Sequence, residues 1–301
     1  MNKTVVLIVG PTGIGKTDVS LQLADYFKSP IISADSRQIY KEIPIGTAAP
    51  TIDELQKVPH FLVATRSISD YYNAYEFEQD ALNITKKLFK KHNLIFMVGG
   101  SMMYIDAFCN GIDDLPTIDN DLRLNIKEKY ENEGIESIRR QLKLLDPDFY
   151  HTVDLKNHRR VIHAVEICLM TGKPYSSLRT NPKRERNFNI IKIGLTLNRQ
   201  ELYNRINQRV ILMMENGLEQ EALSLYEHRT LNALNTVGYK ELFDYFDGKY
   251  SKEKAVELIQ RNTRHYAKKQ ITWFKRDKDI KWFGADEIRD LIDEIEIFNI
   301  S

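Results

Sequence analysis

The chain is 301 residues long; 42% of its residues are hydrophobic, 28% are charged, and the formal net charge is +1. This composition is typical of a globular protein with a sizeable core and excludes a disordered, collagenous or disulfide-stapled chain. No apolar run is long enough to span a membrane, and Cys109 and Cys168 lie far apart, which favours neither a disulfide framework nor a zinc site. We therefore expect a cytoplasmic protein without a membrane partner.

The first predicted strand leads into the strongest local motif of the chain. Thr4 to Val9 are apolar or β-branched, as in a strand buried on both faces, and helical spacing follows from Thr17 to Lys28. Between them the chain matches G-x-x-x-x-G-K-[ST] with Gly10, Pro11, Thr12, Gly13, Ile14, Gly15, Lys16 and Thr17. In a strand–loop–helix context, such a loop cradles phosphate with backbone N–H groups and a helix N-terminus. We predict that it binds a di- or triphosphate, with Lys16 on the outer phosphate oxygens and the Thr17 hydroxyl on Mg²⁺.

The second predicted strand, residues 30–34, ends at a carboxylate, Asp35. Side chains just past the C-terminal end of a parallel strand face the ligand crevice, so Asp35 is expected near the phosphate loop. A cap for a short helix is an equally open interpretation of Asp35. A loop is predicted at 46–50, a further strand at 60–64 and a helix at 75–91.

The third clear strand, residues 94–98, is followed by Gly99, Gly100 and Ser101. A common ATPase places Asp or Glu at such a strand end to hold Mg²⁺. Its absence from this position argues against a hydrolytic motor.

Strand–helix alternation stops near residue 114. From Ile118 to about Leu178 the apolar spacing is helical, with breaks at Gly134, Asp146-Pro147 and 172–174, and the sheet resumes at 189–195. We predict an α/β fold with a phosphate-loop NTPase-like parallel sheet core at 1–114 and 187–301 and a helical insertion domain at 115–186. Trp282-Phe283 is expected to close the sheet as a short edge strand.

The positive charge is concentrated in two segments. Residues 156–192 carry nine lysines and arginines against two glutamates, and residues 261–281 carry eight against two aspartates. In the second segment, one stripe of a predicted helix carries Arg261, Arg264, His265, Lys268, Thr272, Lys275 and Arg276. Such segments suggest a polyanionic partner, although a solvated charged face is the commoner explanation of a charge run.

Taken in order, the motifs resemble those of the bacterial tRNA dimethylallyltransferases (tRNA isopentenyltransferases) over nearly the whole chain. The matching pieces are GPTGIGKT at 10–17, DSRQIY at 35–40, IGTA at 46–49, GGSMMY at 99–104, Arg123, RRVIHAVE at 159–166, VGYKE at 237–241 and TRHYAKKQITWFKR at 263–276. The resemblance implies transfer of a dimethylallyl group from dimethylallyl diphosphate to the exocyclic amine of the adenosine 3′-adjacent to the tRNA anticodon. In that family the loop holds the prenyl diphosphate, and ATP is not consumed.

The resemblance also implies roles for residues. Asp35 is the expected general base for the adenine amine, Lys16 and Ser101 complete the catalytic set, and residues 10–17 bind the diphosphate. Two tRNA-binding faces are implied, one on the insertion and one on the last basic helix. The tRNA-binding residues that the resemblance implies, on these two faces and at the pocket, are Asp35, Ser36, Arg37, Gln38, Ser101, Arg123, Arg159, Arg160, His163, Gly238, Tyr239, Lys240, Arg264, Lys268 and Lys269. The tRNA anticodon stem-loop and dimethylallyl diphosphate are the implied partners, and we expect a monomer.

The chain departs from the family pattern at five positions. Ser101 replaces a usual Thr, Met102-Met103 replace a common Gly-Leu and add bulk near the pocket, Ala49 stands where Lys is frequent, and His163 where Arg is frequent. Two other functions also fit the residues. A nucleoside or polyol kinase would use the same loop and an acid after the second strand, and a non-catalytic RNA-binding protein would retain the basic faces.

Overall fold

A six-stranded, all-parallel sheet forms the centre of the larger of two compact units in the computed structural model, which describes residues 3–180 and 184–300. The strand order is β3-β2-β4-β1-β5-β6. The strands are β1 (Thr4–Val9), β2 (Ile31–Ser33), β3 (His60–Phe61), β4 (Leu94–Gly99), β5 (Asn189–Thr196) and β6 (Lys281–Gly284). This sheet confirms the predicted α/β core, including the edge strand around Trp282 and Phe283.

The central strands are apolar along their whole length because helices cover both sheet faces. Alternate residues of β1 pack into two separate clusters, with Val5, Leu7 and Val9 in one and Val6 and Ile8 in the other. Every residue of β1 and of β4 is buried. The β1–β4 pairing aligns Val9 with Gly99, so the ends of the two strands that precede the phosphate loop and the Gly-Gly-Ser turn lie side by side.

Fifteen α-helices are defined among the described residues. In chain order they are α1 (Lys16–Tyr26), α2 (Pro44–Thr47), α3 (Ile52–Lys57), α4 (Ala74–Leu88), α5 (Met102–Asn110), α6 (Asn120–Glu133), α7 (Ile135–Leu145), α8 (Pro147–Thr152), α9 (His158–Thr171), α10 (Tyr175–Leu178), α11 (Arg199–Glu215), α12 (Leu218–Ser224), α13 (Tyr239–Phe246), α14 (Lys252–Phe274) and α15 (Ile288–Ile300). Within the described residues, no helix combines the length and apolar character needed to cross a membrane.

Two local predictions are wrong. The strand expected at 60–64 ends at Phe61, because Leu62 and Ala64 adopt positive φ angles of 62° and 49°, which strand pairing does not accommodate. The loop expected at 46–50 overlaps the end of α2. This helix begins at Pro44, which is tolerated in a first turn because the N–H that proline lacks has no partner within the helix there.

The chain divides into Met1–Cys109 with Glu185–Ser301, and Asn110–Arg184. The smaller unit consists of helices in its described residues, and its boundaries lie a few residues before the predicted 115 and 186. Its core includes Ile138, Leu142 and Val161. Helices α6, α7 and α9 end at the predicted breaks, and Gly172 closes α9 with a φ of 67°. The end of α8 at Thr152 was not predicted.

Candidate active site

The phosphate loop connects the end of β1 to the start of α1. Gly15 occupies the residue before α1 with a φ of 102°, and Gly13 has a φ of 80° with Ile206 so close that an added Cβ would lie 2.8 Å from its Cγ1. Side chains are strained at such angles, so both glycines are required by the turn. The loop therefore presents the N-terminal N–H groups of α1 as an anion site.

Lys16 is held over this loop. Its Nζ donates to the carbonyls of Gly10 at 3.0 Å and Pro11 at 2.9 Å. Burial lowers the pKa of Lys16 to about 8, while the charge of Asp35 acts in the opposite direction. An anion in the loop would favour the protonated lysine and offset the cost of burying it.

Helix α11 brings two arginines to the loop. The Arg209 guanidinium donates to Thr12 Oγ1 at 3.3 Å and to the Thr47 carbonyl at 3.4 Å. Arg205, one turn earlier, donates to the Ile14 carbonyl at 3.4 Å and to Glu201. Burial lowers the pKa of Arg209, and Asp35 opposes that shift. Two fixed guanidinium groups beside a lysine form an electrostatic site for a di-anion or a more highly charged group.

A cavity of about 460 Å³ joins these groups to Asp35. Its lining also includes Gln38, Val98, Gly99, Tyr266 and Gln270. Burial raises the pKa of Tyr266, with a further contribution from Asp35, so this hydroxyl stays neutral and can donate a hydrogen bond. The cavity thus combines anion-binding groups with one carboxylate.

Asp35 takes part in the turn that follows β2. Its Oδ1 accepts hydrogen bonds from the backbone N–H groups of Arg37 at 2.9 Å and Gln38 at 3.3 Å. The carboxylate therefore caps a turn, in place of the short helix that one interpretation of the sequence expected, and it also lines the cavity. Because its hydrogen bonds to the described residues use Oδ1, Oδ2 can accept a proton without breaking the cap.

Ser101 connects the end of β4 to the residue after Asp35. Its Oγ accepts from the Ser36 N–H at 2.7 Å and donates to Ser36 Oγ at 3.1 Å, and it is 7% exposed. Ser101 is absent from the described cavity lining, so it fixes the Asp35 segment rather than facing the cavity.

The half-buried carboxylate of Glu221 holds the backbone of α2 beside the cavity. Glu221 accepts from the N–H groups of Ile45 at 2.9 Å and Gly46 at 2.8 Å, and from the Tyr239 hydroxyl at 2.5 Å. A Cβ on Gly46 would overlap the Tyr239 ring. This close approach explains physically why a glycine in IGTA and a tyrosine in VGYKE occur together.

The structure corrects the prediction that Tyr239 contacts tRNA. Its side chain is fully buried, and burial together with Glu221 raises its pKa, because ionisation would place a second negative charge beside the carboxylate. Gly238 is buried as well, whereas Lys240 is exposed. Of the predicted VGYKE contacts, only Lys240 presents a side chain to solvent.

Gln38 and Arg37 have defined structural partners. Gln38 Nε2 donates to the carbonyls of Thr47 at 3.3 Å and Ala48 at 3.0 Å. The Arg37 guanidinium donates to the Asn232 and Ala233 carbonyls at 2.9 and 3.1 Å.

Helix α14 carries the predicted basic face. Lys268 and Lys269 are exposed, and Arg264 is half-buried, where it donates to Asn207 Oδ1 and lies over the Tyr203 ring. The stripe is therefore mainly a solvent-facing surface, with Arg264 anchored at its edge.

In the smaller unit, the predicted cations lie on α6 and α9. Arg159 and Arg160 are exposed. Arg123 Nε and His163 Nδ1 each lie 3.6 Å from a carboxylate oxygen of Glu166, whose side chain is 7% exposed. Glu166 thus holds two of the predicted tRNA contacts in place.

The bulk of Met102 and Met103 does not enter the cavity. Met102 packs against the core and Met103 is 52% exposed, and neither belongs to the cavity lining defined by the described residues. The expectation that they add bulk near the pocket is wrong, because Met102 faces the core and Met103 faces solvent. Ala49 does line the cavity.

Arg205, Arg209 and Gln270 were not identified as site residues from the sequence. The arginines are spaced by four on one helix, which places them on one face. Gln270 is a polar residue at a core position of α14, between Ala267 and Phe274. These patterns are visible in the sequence, but only the fold shows that they point at the phosphate loop.

Comparison with known proteins gives a consistent assignment. A family model described as IPP transferase matches residues 38–277. The tRNA dimethylallyltransferase 2 of Azobacteroides pseudotrichonymphae is 59% identical over 286 residues, which cover 95% of this chain and 93% of that protein.

Two solved structures with similar folds are also tRNA-modifying transferases of this kind. The tRNA isopentenylpyrophosphate transferase of Bacillus halodurans superimposes with a TM-score of 0.71 at 35% identity, covering 99% of this chain and 96% of that one. A eukaryotic dimethylallyltransferase acting on tRNA gives a TM-score of 0.73 at 27% identity, covering 95% of this chain and 75% of the other.

Proposed function

Because the chain belongs to the IPP transferase family, the tRNA dimethylallyltransferases, we propose that it transfers a dimethylallyl group from dimethylallyl diphosphate to tRNA. The acceptor is the exocyclic amine of the adenosine 3′-adjacent to the anticodon, and pyrophosphate is released. The observation that carries the proposal is the single cavity that combines the phosphate loop and Arg209 with Asp35. The cytoplasm, where tRNA resides, is the expected location.

The diphosphate is bound by the phosphate loop, Lys16 and Arg209. Carbon–oxygen cleavage transfers an electron pair to the diphosphate, and fixed donors and cations stabilise that charge as it develops. Lys16 would exchange its bonds to the Gly10 and Pro11 carbonyls for phosphate oxygens.

Asp35 acts on the other reactant. The adenine nitrogen forms a bond to C1 of the dimethylallyl group as the bond from C1 to the diphosphate oxygen breaks, and one N–H proton passes to Asp35 Oδ2. Since an adenine amine is a weak nucleophile, a positioned base contributes about 10²–10⁴-fold to the rate. Ser101 holds the Asp35 segment through Ser36.

Thr17 fits the part of a Mg²⁺ ligand. Its side chain lies at the start of α1, lines the cavity with Asp18 and Asp35, and offers the oxygen donor that Mg²⁺ prefers. The described residues contain no cluster of three or more His, Cys, Asp or Glu able to hold a metal. When bound, Mg²⁺ would supply further charge neutralisation to the diphosphate.

The exposed cations of α9 and α14 provide two tRNA-binding faces, one in each unit. They suit phosphodiester contacts, which position an RNA without reading its sequence. The target base is stacked in the anticodon loop, so it must be extruded to reach Asp35 in the cavity.

The experiment is incubation with dimethylallyl diphosphate, Mg²⁺ and unmodified tRNA without ATP, followed by digestion and mass analysis of the nucleosides. A dimethylallyl adduct on adenosine supports the proposal. A kinase would instead phosphorylate a nucleoside or polyol when ATP is supplied, although family membership does not favour this. Binding of tRNA with no adduct would indicate an RNA-binding protein without turnover and would contradict the proposal.

A further inference from the structure

The side chain of Gln270 joins the phosphate loop to the turn after β4. Its Oε1 accepts a hydrogen bond from the Thr12 N–H at 2.8 Å, and its Nε2 donates to the Gly100 carbonyl at 2.9 Å. The residue is 2% exposed and lies on the buried face of α14. A helix distant in sequence thus contacts both segments that form the cavity floor.

A carboxamide completes this bridge in its ordinary neutral form. Thr12 offers a donor and Gly100 an acceptor, so the side chain between them must accept at one atom and donate at the other. Thr12 is also held at its hydroxyl by Arg209 of α11. The first turn of the phosphate loop is therefore fixed by side chains from two helices, and its N–H directions depend on Gln270.

The glycine at position 100 makes room for the bridge. A Cβ placed there would overlap Gln270 Nε2, whereas the Gly100 backbone has no positive φ that would require glycine. The carbonyl that Gln270 contacts immediately precedes Ser101, whose Oγ holds the Ser36 N–H beside Asp35. Through these hydrogen bonds, Gln270 reaches both the diphosphate side and the base side of the cavity.

The opposite face of α14 is exposed and basic. Lys268 and Lys269 directly precede Gln270 and face solvent, while Ala267, Gln270 and Phe274 face the core. Because α14 is one continuous helix of 23 residues, a shift of this helix by RNA bound on its outer face would move the Gln270 amide. The bridge is therefore placed to transmit such a shift.

We propose that Gln270 is a positioning residue that couples tRNA bound on the basic face of α14 to the diphosphate affinity of the phosphate loop. The inference rests on the proposed function for its two ligands. Coupling is reciprocal, so tRNA tightens diphosphate binding by the same factor as diphosphate tightens tRNA binding.

The test measures the Kd of inorganic pyrophosphate with Mg²⁺ by calorimetry, with and without saturating unmodified tRNA. For the wild type we expect a ratio of about 5–150-fold, the usual range for coupled sites. Gln270→Met removes both hydrogen bonds at similar volume, and Gly100→Ala displaces the amide without changing residue 270. Both variants should lower the ratio to about threefold or less, well under that range.

Ile259→Val is the matched control, because Ile259 is equally buried on α14 but distant in sequence from the bridge. It should retain the wild-type ratio, which separates coupling from loss of helix stability. Thermal unfolding, and tRNA affinity measured without pyrophosphate, verify that each variant is folded.

Two results overturn the proposal while leaving the function intact: a wild-type ratio near one, or variants that keep the wild-type ratio. Failure of the wild type to bind tRNA at all would contradict the proposed function itself.

Discussion

The two carboxylate oxygens of Asp35 have different roles, one structural and one proposed to be catalytic. Oδ1 caps the turn through the N–H groups of Arg37 and Gln38, and the proposed base is Oδ2. Asp35→Asn keeps an acceptor for the cap, so the free energy of unfolding should change by a few tenths of a kcal/mol at most. It removes the base, so the single-turnover transfer rate should fall by about 10²–10⁴-fold.

Single-turnover measurements at saturating diphosphate and tRNA test the predicted loss of rate, because the observed rate then does not depend on the affinity for either substrate. Urea unfolding supplies the stability comparison. A rate within about threefold of wild type would lie far below the range for a general base and would leave Asp35 as a cap alone.

Lys16 gives the diphosphate site a pH dependence. Burial lowers its pKa in the free protein to about 8, and bound diphosphate favours the protonated form. Affinity for dimethylallyl diphosphate should therefore be constant below about pH 8 and decrease above it, with a limiting slope of about tenfold per pH unit. The affinity stops decreasing above the pKa that Lys16 has in the diphosphate complex, which is higher than its pKa in the free protein.

Calorimetric titrations between about pH 7 and 9.5, with Mg²⁺ and without tRNA, measure this slope without turnover. Lys16→Gln is the control, since it should bind more weakly and lose the decrease. A wild-type affinity that stays constant through the whole interval would show that Lys16 does not contact the diphosphate.

At the scale of elements, the α2 segment depends on α12 and α13. Tyr239 and Glu221 lock the backbone of Ile45 and Gly46, and the next carbonyl, that of Thr47, accepts from both Gln38 and Arg209. Tyr239→Phe removes one hydrogen bond to the charged Glu221 carboxylate and should cost about 1.5–3 kcal/mol in the free energy of unfolding. The KM for the diphosphate should rise because Arg209 loses a fixed partner.

Tyr250→Phe is the matched control. Its hydroxyl donates to the Glu241 carbonyl at 2.9 Å, so the substitution removes a neutral hydrogen bond and should cost only about 0.5–1.5 kcal/mol. Its KM should equal that of the wild type. If Tyr239→Phe also kept the wild-type KM while losing stability, the segment would be structural only.

Strands and helices whose position follows from one local sequence feature were predictable from the sequence. β1 and β4 are apolar throughout because both faces are covered, and α7 and α9 end at helix breakers. β3 was predicted too long because Leu62 adopts a positive φ, which an apolar residue does not signal in the local sequence. α2 was missed for a similar reason, since its first N–H groups are satisfied by the distant Glu221.

The residues of the site likewise fall into a group that the local sequence predicts and a group that it does not. The phosphate loop and Asp35 belong to contiguous motifs whose strand ends meet at one edge of a parallel sheet, so their proximity follows from the topology. Arg209 and Gln270 reach the cavity from helices about 200 and 260 residues further along the chain than the loop they contact. Their directions depend on helix packing, which periodicity alone does not determine.

For the whole molecule, the net charge of +1 conceals an uneven distribution. Some cations in the basic segments have structural partners: Lys192 binds Asp277 at 2.7 Å, and Arg186 binds the buried Glu78 and the carbonyls of Ala107 and Phe108. The exposed pairs on α9 and α14 remain as candidates for phosphate contacts.

Replacing Arg159 and Arg160, or Lys268 and Lys269, by Ala should weaken tRNA binding in each case. A cation that neutralises a phosphate releases a counterion, so the slope of log K against log salt should flatten by up to about one unit for each phosphate that the variant no longer neutralises. Affinity for dimethylallyl diphosphate should not change, because none of these four side chains lines the cavity formed by the described residues.

Lys86 and Lys87 form the matched control, as an adjacent pair of exposed lysines on α4 outside both basic segments. Their replacement by Ala removes the same charge as the α14 variant, so any general effect of net charge on RNA affinity appears equally in both. A salt slope that changes no more in the α9 and α14 variants than in this control would mean that the two faces are merely solvated. A flattening confined to one pair would instead assign the phosphate contacts to that unit alone.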